Sequence, residues 1–350
     1  MSQRETTIYV GWIIDHEVLM KSSSGGAYTV LSDVFLENGD AVISAIYNYQ
    51  THTTEFKMIH NKQDRNQARG SKYMQSKPGN IFQEAYLWIK QNPDRKILFV
   101  GMGCQAEGFR KYAEFMGIRQ QVYIVDIVCY GSSSPKLWRE YAELLERSYG
   151  GKITYLTFRD KRNGWKSPTA FAVVNNMEIP INDYMNVFYN QCALRPSCHE
   201  CPYATVERRT DLTIGDSWHI EETIADFYNE NGSSLFLIHT NQGEALFESV
   251  KDKLEYRLSN MEQCWQTNLE TPTTVSEKRG KFWSDYQKEG IRFIMWKYGM
   301  PSLMMRIKKG VSIVIQRINA LYIAWGGGKT EYRYIFPGIH YGIYLMGRMA

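Results

Sequence analysis

A strand–helix–strand pattern between residues 96 and 128 constrains the fold of this chain more than any other feature. Residues 96–101 (KILFVG) form a short apolar run that predicts a buried strand, and residues 121–128 (QVYIVDIV) predict a second one. Between them, residues 105–116 space their large apolar side chains along one face of a helix. The short connections make this a βαβ unit, so its two strands should run parallel as neighbours in a sheet.

Helical and strand-like patterns also alternate around this unit. We therefore expect an α/β fold of mixed α+β character, with a central mixed sheet and a helical C-terminal extension. The expected domains are a catalytic body over residues 1–280 and a basic tail over residues 281–350. The remaining predicted strands are residues 41–49, 152–160, 169–176, 208–216 and 234–240, and the remaining predicted helices are residues 27–36, 80–91, 135–148 and 243–258.

The net charge of +4 conceals a basic tail. Residues 281–350 carry 11 Lys or Arg against 3 Asp or Glu, whereas the rest of the chain is mildly acidic. Apolar and basic residues alternate over residues 290–325, which predicts two amphipathic helices separated near Pro301. Such helices commonly cover a protein's own core, and the alternative is that they lie on an anionic membrane surface. A chain that is not basic throughout is not expected to bind nucleic acid.

The sequence predicts a cytoplasmic protein. Its first residues contain no apolar stretch typical of a secretory signal, and no segment reaches the roughly 20 apolar residues of a spanning helix. Six cysteines are too few and too scattered for a disulfide scaffold in 350 residues, so reduced thiols are expected. If the basic tail contacts a membrane, the location would be peripheral, at its inner face.

Four of the cysteines are placed to form one site. Cys104 follows the first strand of the βαβ unit and Cys129 follows the second. If those strands are neighbours, about 4.8 Å apart, both thiols lie at the carboxyl edge of the sheet, where α/β proteins usually bind ligands. Cys198 and Cys201 add a CxxC pair on a turn, which makes four thiolates in all.

The spacing alone leaves the chemistry of this site open. Four thiolates suit either Zn²⁺ or an iron–sulfur cluster. Structural zinc sites more often use two local CxxC pairs, whereas Cys104 and Cys129 are 25 residues apart. Another interpretation is that these two are small buried hydrophobes, which explains each one but not their matched positions. The CxxC pair could also be a redox dithiol or a disulfide.

Taken together, segments distributed along residues 7–250 resemble the coenzyme F420 hydrogenase/dehydrogenase beta-subunit family. The match is to the stand-alone bacterial type, which lacks an N-terminal ferredoxin-like domain, so electrons are expected to come from or go to another protein. The segments, in order, are SSSGG (22–26), RGSKYMQS (69–76), GMGCQAEGFRKY (101–112), VDIVCYGSSSP (125–135), FRDKRNGW (158–165), RPSCHECPYA (195–204), DLTIGDSW (211–218) and GSSLFLIHTNQG (232–243).

The resemblance implies a non-covalent FAD beside a [4Fe-4S] cluster. The family's cysteine pattern falls on Cys104, Cys129, Cys198 and Cys201, so the resemblance implies that these four hold the cluster. The chain departs from the family where Met102 and Gly103 replace Thr-Pro and where Tyr130 replaces a histidine; neither change removes a ligand. The other two cysteines, outside the motifs, are interpreted as ordinary core or surface thiols.

Two loops and one lysine are the implied flavin contacts. The serine–glycine loop precedes a helix whose N-terminus favours anions, and the alternative is a plain serine N-cap. The second loop carries an arginine and a lysine, which suit phosphate. The lysine of the FRDK segment, with Trp165, is placed at a substrate entrance, although Trp165 could equally pack a hairpin. The implied cofactor-binding residues are Ser23, Ser24, Gly25, Gly26, Arg69, Gly70, Ser71, Lys72, Tyr73 and Lys161; no catalytic residue is predicted.

The expected function is that of an FAD- and [4Fe-4S]-dependent oxidoreductase. It would pass electrons between a ferredoxin-like protein or redox subunit and a small organic hydride acceptor or donor. The resemblance also suggests a role in surface-polysaccharide biosynthesis. The alternative is a non-catalytic four-cysteine zinc module that docks a membrane-associated glycan assembly, and a third possibility is a thiol–disulfide enzyme that uses the CxxC pair.

Overall fold

The βαβ unit is confirmed, and it forms the centre of a nine-stranded mixed sheet. The structure, a computed structural model, describes residues 5–300 of the chain. Strands Ile97–Met102 and Val122–Ile127 pair in parallel along their whole length, and helix Gly103–Phe115 connects them. Together with the rest of the sheet, this confirms the predicted α/β fold with its mixed sheet.

Within residues 5–300 the chain forms twelve strands and eleven α-helices, numbered in chain order. The strands are β1 Thr7–Ile13, β2 Ala41–Asn48, β3 Thr53–Ile59, β4 Ser76–Lys77, β5 Ile97–Met102, β6 Val122–Ile127, β7 Ile153–Asp160, β8 Thr169–Val174, β9 Met177–Pro180, β10 Leu212–Asp216, β11 Ser234–Ile238 and β12 Leu254–Ser259. The helices are α1 His16–Met20, α2 Ala27–Glu37, α3 Lys62–Ala68, α4 Ile81–Gln91, α5 Gly103–Phe115, α6 Pro135–Tyr149, α7 Asn182–Tyr189, α8 Ile220–Thr223, α9 Asn241–Glu248, α10 Met261–Cys264 and α11 Arg279–Tyr298.

Four parallel strands form the middle of the large sheet, in the order β10-β6-β5-β2. On the β10 side, antiparallel pairing adds β11, β1 and β12, and on the β2 side it adds β3, followed by β4 parallel to β3. A separate antiparallel sheet has the order β7-β8-β9. The parallel strands share one carboxyl edge, which is where α/β sheets usually place their ligand sites.

Both faces of the parallel strands are covered, which explains their uninterrupted apolar sequences. Successive residues of β5 alternate between two cores. Leu98 and Val100 pack in one core with apolar residues of α2 and α9. Ile97 and Phe99 pack in the other core with residues of α4 and α5. All four side chains are buried, and each large one contributes about 1.5–3 kcal/mol by leaving water.

A third core joins α6, α7 and α11 to the small sheet, and it extends across the predicted domain boundary. Phe282 and Ile294 of α11 are fully buried in this core. The helix is interrupted at Gly290, where φ is 73°. The compact unit that contains these residues ends at Gly299, so the boundary predicted at residue 280 falls inside the unit. The second predicted tail helix lies outside the described residues.

One predicted helix is wrong in part. The sequence pattern predicts a single helix over residues 243–258, but α9 ends at Glu248 and Leu254–Ser259 forms β12. This strand pairs antiparallel with β1, more than 200 residues away along the chain, and such pairing leaves no local pattern to read. No helix among residues 5–300 is long and apolar enough to cross a membrane.

Candidate functional site

Two of the candidate metal ligands follow strands that end side by side. In the pairing of β5 with β6, Met102 lies opposite Ile127, and these are the last residues of the two strands. Cys104 and Cys129 each lie two residues beyond this pair, at the carboxyl edge of the sheet. Cys104 is in the first turn of α5, where the helix dipole favours a negatively charged sulfur.

The loop that carries the CxxC pair is attached to this edge by its backbone. Arg195 N donates to Ser132 O at 2.9 Å, and an isolated β-bridge joins Ser133 to Leu194. These contacts place the loop of Cys198 and Cys201 beside the loop that follows Cys129. At its other end the CxxC loop packs against the start of α5, where a Cβ on Gly103 would lie 3.0 Å from Tyr203 Cβ.

The four thiols lie close enough to interact electrostatically. Burial raises the pKa of Cys129 to about 12, and the nearby sulfurs of Cys198, Cys104 and Cys201 add to the increase. Burial also raises the pKa of Cys104, with further contributions from Cys201 and Cys198. The structure therefore brings together the four cysteines predicted as ligands, in surroundings where a thiolate requires a cationic partner such as a metal.

We call the four thiols of Cys104, Cys129, Cys198 and Cys201 the ring, and they are loosely spaced. Within residues 5–300, no three cysteine sulfurs lie within 4.8 Å of one another; the three ligand-type groups that do are His219, Glu221 and Glu222, which lie at or near the surface. The remaining two cysteines, Cys192 and Cys264, are buried elsewhere, beside Ser276 and Ser259 respectively.

A cavity of about 720 Å³ adjoins this ring. Cys129 belongs to the ring and also lines the cavity. Met102, the last residue of β5, and Gln105, in the first turn of α5, line the cavity as well. Its volume lies within the range of roughly 300–1,000 Å³ that is usual for cofactor and ligand pockets. Gln105 Oε1 is buried and has no hydrogen-bond partner among the described residues, so it offers an acceptor to a ligand. Aromatic side chains form much of the wall: Tyr28, Phe56, Tyr73, Tyr130, Phe188, Tyr189, Trp218 and Trp265.

The structure brings the two predicted flavin loops together at this cavity. Ser71 N and Ser71 Oγ lie 2.9 and 3.1 Å from Ser23 Oγ, and Arg69 Nε donates to Thr29 Oγ1 at 3.1 Å. The two loops therefore form one continuous wall. The predicted cofactor-binding residues that line the cavity are Ser23, Ser24, Gly26, Arg69, Gly70, Ser71, Lys72 and Tyr73.

The N-terminus of α2 opens on the same cavity. Gly26 precedes this helix with φ of 88°, a left-handed conformation that glycine adopts readily, and no side chain caps the helix. Ser24 Oγ donates to Ser233 O instead, at 2.7 Å, and Ser22 Oγ donates to Val18 O. The alternative that a serine caps the helix is therefore wrong. Thr29 N already donates to Gly26 O at 3.0 Å, so the backbone N–H groups suited to an anion are those of Ala27 and Tyr28.

Gly25, in the same loop, lies behind the cavity wall. A Cβ at this position would lie 2.5 Å from both Gly11 O and Ser234 N. The glycine therefore allows the loop to approach β1 and β11 closely. It shapes the loop without lining the cavity.

The two lysines predicted as cofactor contacts bind backbone carbonyls. Lys72 Nζ donates to Ala68 O, Arg69 O and Gly70 O at 2.8, 3.2 and 3.0 Å. All three ammonium donors are thus used to shape the loop that follows α3. Burial lowers the pKa of Lys72 to about 7.

Lys161 occupies a similar environment behind the serine loop, and it does not line the cavity. Its ammonium donates to Leu19 O, Ser24 O and Asn231 O at 2.8, 2.6 and 2.5 Å. Burial, and then the charge of Arg159, lower its pKa to about 7. Lys161 therefore joins three segments around the serine loop instead of forming a substrate entrance.

Sequence reasoning missed Arg159, which lines the cavity with Asp216 and Trp218. Arg159 Nη1 donates to Asp216 Oδ2 at 2.5 Å, and Trp165 Nε1 donates to Asp216 Oδ1 at 3.0 Å. Trp165 is fully buried and stacks on Trp218, so it is a packing residue. The available sequence signal was Asp216, a carboxylate at the end of a predicted strand that could pair with an arginine. In the structure Ile214 of β10 lies opposite Ile127, so Asp216 is in register with Cys129.

Comparisons with known proteins find one family model that matches part of the chain. Residues 94–263 match the family model that describes the C-terminal part of the beta subunit of coenzyme F420 hydrogenase/dehydrogenase, which confirms the resemblance seen in the sequence. Among solved structures, a chain of the xenon-derivatised F420-reducing [NiFe] hydrogenase complex from Methanosarcina barkeri is similar, with 18% sequence identity and a TM-score of 0.50. The alignment covers 82% of this chain and 94% of that one, and at this identity the similarity shows the fold alone. No curated protein matches the sequence.

Proposed function

Because residues 94–263 match the family model for the beta subunit of coenzyme F420 hydrogenase/dehydrogenase, we propose that this chain is a flavin- and iron–sulfur-dependent oxidoreductase. It passes electrons between a partner redox protein and a small organic molecule that accepts or donates hydride. The observation that carries the proposal is the convergence of four thiols beside a cavity, with Cys129 belonging to both.

The spacing of the thiols favours a [4Fe-4S] cluster over zinc. A Zn–S bond of about 2.3 Å places the sulfurs of a tetrahedral site only ~3.8 Å apart. No three cysteine sulfurs in residues 5–300 lie within 4.8 Å of one another. A cluster inserts iron and sulfide between its thiolates and so needs a wider ring. Cys104, Cys129, Cys198 and Cys201 would be its ligands.

The cavity residues fit FAD. The first turn of α2 and the guanidinium of Arg69 are suited to the pyrophosphate, since both offer donors to an anion. The aromatic wall suits the flat, largely apolar ring system and keeps water from it. The bond between Ser23 and Ser71 holds the two loops in one arrangement. When bound, the flavin would supply hydride chemistry and the cluster would supply single electrons.

The chain's own residues position these groups. The backbone around Gly25 and Gly26 determines how closely the serine loop approaches the sheet. The ammonium of Lys161 links that loop to Leu19 and Asn231. Gln105, one residue after Cys104, offers its free amide oxygen to a ligand in the cavity. A cytoplasmic location and a role in surface-polysaccharide biosynthesis remain predictions.

Metal and flavin analysis of anaerobically purified protein tests the proposal. We expect flavin absorption bands, a broad shoulder that reductant bleaches, and about four irons per chain. The variant Cys104→Ser should lose the iron. Cys264→Ser is the matched control, because Cys264 is buried outside the ring and Ser259 Oγ lies 3.1 Å from its sulfur as a partner for the new hydroxyl.

Two results would contradict the proposal. A colourless protein with one zinc per chain would support a zinc module. Full activity and unchanged metal content in Cys104→Ser would support a thiol–disulfide enzyme that uses Cys198 and Cys201 alone.

A further inference from the structure

The cavity wall contains a buried cation with an unused hydrogen-bonding nitrogen. The side chain of Arg159 is 6% exposed, and the residue lines the cavity. Its Nη1 is bonded to Asp216, whereas its buried Nη2 has no hydrogen-bond partner among the described residues. A buried donor without a partner costs free energy, so its retention points to a ligand.

The guanidinium is held in place without a ligand. Asp216 accepts from Arg159 with one oxygen and from the Trp165 indole with the other. The rings of Trp165 and Trp218 are stacked, with centroids 5.0 Å apart, and the Arg159 guanidinium lies 5.3 Å from the Trp218 centroid. A donor fixed in this way loses little conformational freedom when a ligand binds.

The charges of the wall favour an anion. Three cationic side chains, Arg69, Lys72 and Arg159, line the cavity against the single carboxylate of Asp216. The Lys72 ammonium is already bonded to three carbonyls. Arg69 belongs to the wall formed by α2 and the loop after α3, and Arg159 belongs to the wall formed by the ends of β7 and β10. The cavity thus presents two cations on separate walls.

We propose that Arg159 anchors an oxyanion of the organic substrate, a carboxylate or a phosphate, through Nη2. This inference rests on the proposed function, since it names the substrate class of the same site. Arg69 and the α2 N-terminus then serve the cofactor, and Arg159 serves the substrate. Trp218 lies against the guanidinium and Tyr189 also lines the cavity, so the anion is expected to be carried on a flat or apolar body.

Calorimetric titration of the anaerobically purified full-length protein tests the inference. The probes are benzoate, phenyl phosphate and the uncharged benzyl alcohol, and the two anions distinguish carboxylate from phosphate. We expect at least one anion to bind the wild type, and Arg159→Gln to weaken that binding roughly 10- to 100-fold. Arg162→Gln is the matched control, because this exposed arginine pairs with Asp160 and Glu178 and does not line the cavity.

The absence of anion binding to the wild type would overturn the inference, as would equal binding by Arg159→Gln or equally tight binding of benzyl alcohol. Loss of flavin from Arg159→Gln would overturn it too, because Arg159 would then hold the cofactor.

If Arg159→Gln does not fold, Arg159→Lys is the second variant, since it keeps the charge beside Asp216 but lacks the second nitrogen. It should fold and bind the anion more weakly than the wild type does. Anion binding that depends on Arg159 in a protein without iron or flavin would support the anion site at Arg159 and overturn the proposed function.

Discussion

At the scale of single residues, the serine loop depends on a glycine that does not line the cavity. A methyl group on Gly25 would lie 2.5 Å from the backbone of both β1 and β11, and backbone atoms cannot move aside as a flexible side chain can. The loop must then lift from the sheet, and the cavity wall changes with it.

We therefore expect Gly25→Ala to lower the free energy of unfolding by roughly 1–3 kcal/mol and to weaken flavin binding. Gly280→Ala is the control, because nothing lies within 4 Å of a Cβ at that position in α11, and alanine should be neutral or stabilising there. Denaturant unfolding and flavin content measure both effects. Equal stability of Gly25→Ala and wild type would show that the loop does not need this close approach.

A second residue, His239, is buried as a neutral imidazole at the end of β11. Its ring nitrogens lie 3.1 Å from Thr6 Oγ1 and 2.8 Å from Thr213 Oγ1. Burial, and then the charge of Arg208, lower its pKa to about 3. Between about pH 6.5 and pH 3 the unfolded chain binds a proton at this residue that the folded chain does not, so stability falls as the pH falls.

The expected loss is about 1.4 kcal/mol for each pH unit below 6.5. His239→Asn keeps a polar group but cannot titrate, so its stability should depend less on pH over this window. Unfolding free energies measured between pH 5 and 7, above most carboxyl titrations, would show the difference. Parallel curves for wild type and variant would mean that His239 does not carry the acid sensitivity.

At the scale of elements, the start of α5 controls how the CxxC loop reaches the sheet. A Cβ on Gly103 would lie 3.0 Å from Tyr203 Cβ and 3.2 Å from Asp126 Oδ2. Gly108, in the middle of the same helix, has only the Phe82 ring nearby, at 3.8 Å. Alanine substitutions at these two glycines therefore distinguish the effect of packing against the CxxC loop from the effect of helix propensity.

We expect Gly103→Ala to push the CxxC loop away from Cys104 and to reduce the iron content of the purified protein. Gly108→Ala should keep the iron and gain up to about 1 kcal/mol of stability, because alanine favours helix. Iron analysis and thermal unfolding of both variants test this. If the two variants hold the same iron, the contact with Tyr203 does not set the position of the ligands.

The elements that can be predicted from the sequence are those with strong local patterns. β5, α5 and β6 are predictable because strands covered on both faces have uninterrupted apolar sequences. The edge strand β12 is not, since its pairing with β1 is long-range. In the site, Cys104 and Cys129 can be placed because each follows a strand of the βαβ unit. The roles of Lys72 and Lys161 cannot be predicted, because their partners are backbone carbonyls, which have no sequence signature.

At the scale of the whole molecule, the candidate site and α11 belong to one compact unit that ends at Gly299. The helix contributes apolar side chains to the core shared with α6, α7 and the small sheet. Asp285 links the two parts of α11 across the break at Gly290, because its carboxylate accepts hydrogen bonds from Lys297 and Tyr298. These bonds hold the pKa of Asp285 well below its ordinary value.

Two truncations test where this unit ends. A chain that stops at residue 278 loses α11 and exposes the core residues that pack against Phe282, Ile291, Ile294 and Met295. The free energy of unfolding should fall by about 1.5–3 kcal/mol for each of these large side chains that is removed. The sum approaches the 5–15 kcal/mol total stability of a typical protein, so this chain should not fold cooperatively. A chain that stops at residue 300 keeps the unit, and it should unfold in one transition with the same flavin and iron contents as those measured for the full chain. Circular dichroism measures the unfolding of both chains. Cooperative unfolding of the shorter chain would place the boundary at residue 280 and make α11 part of the tail.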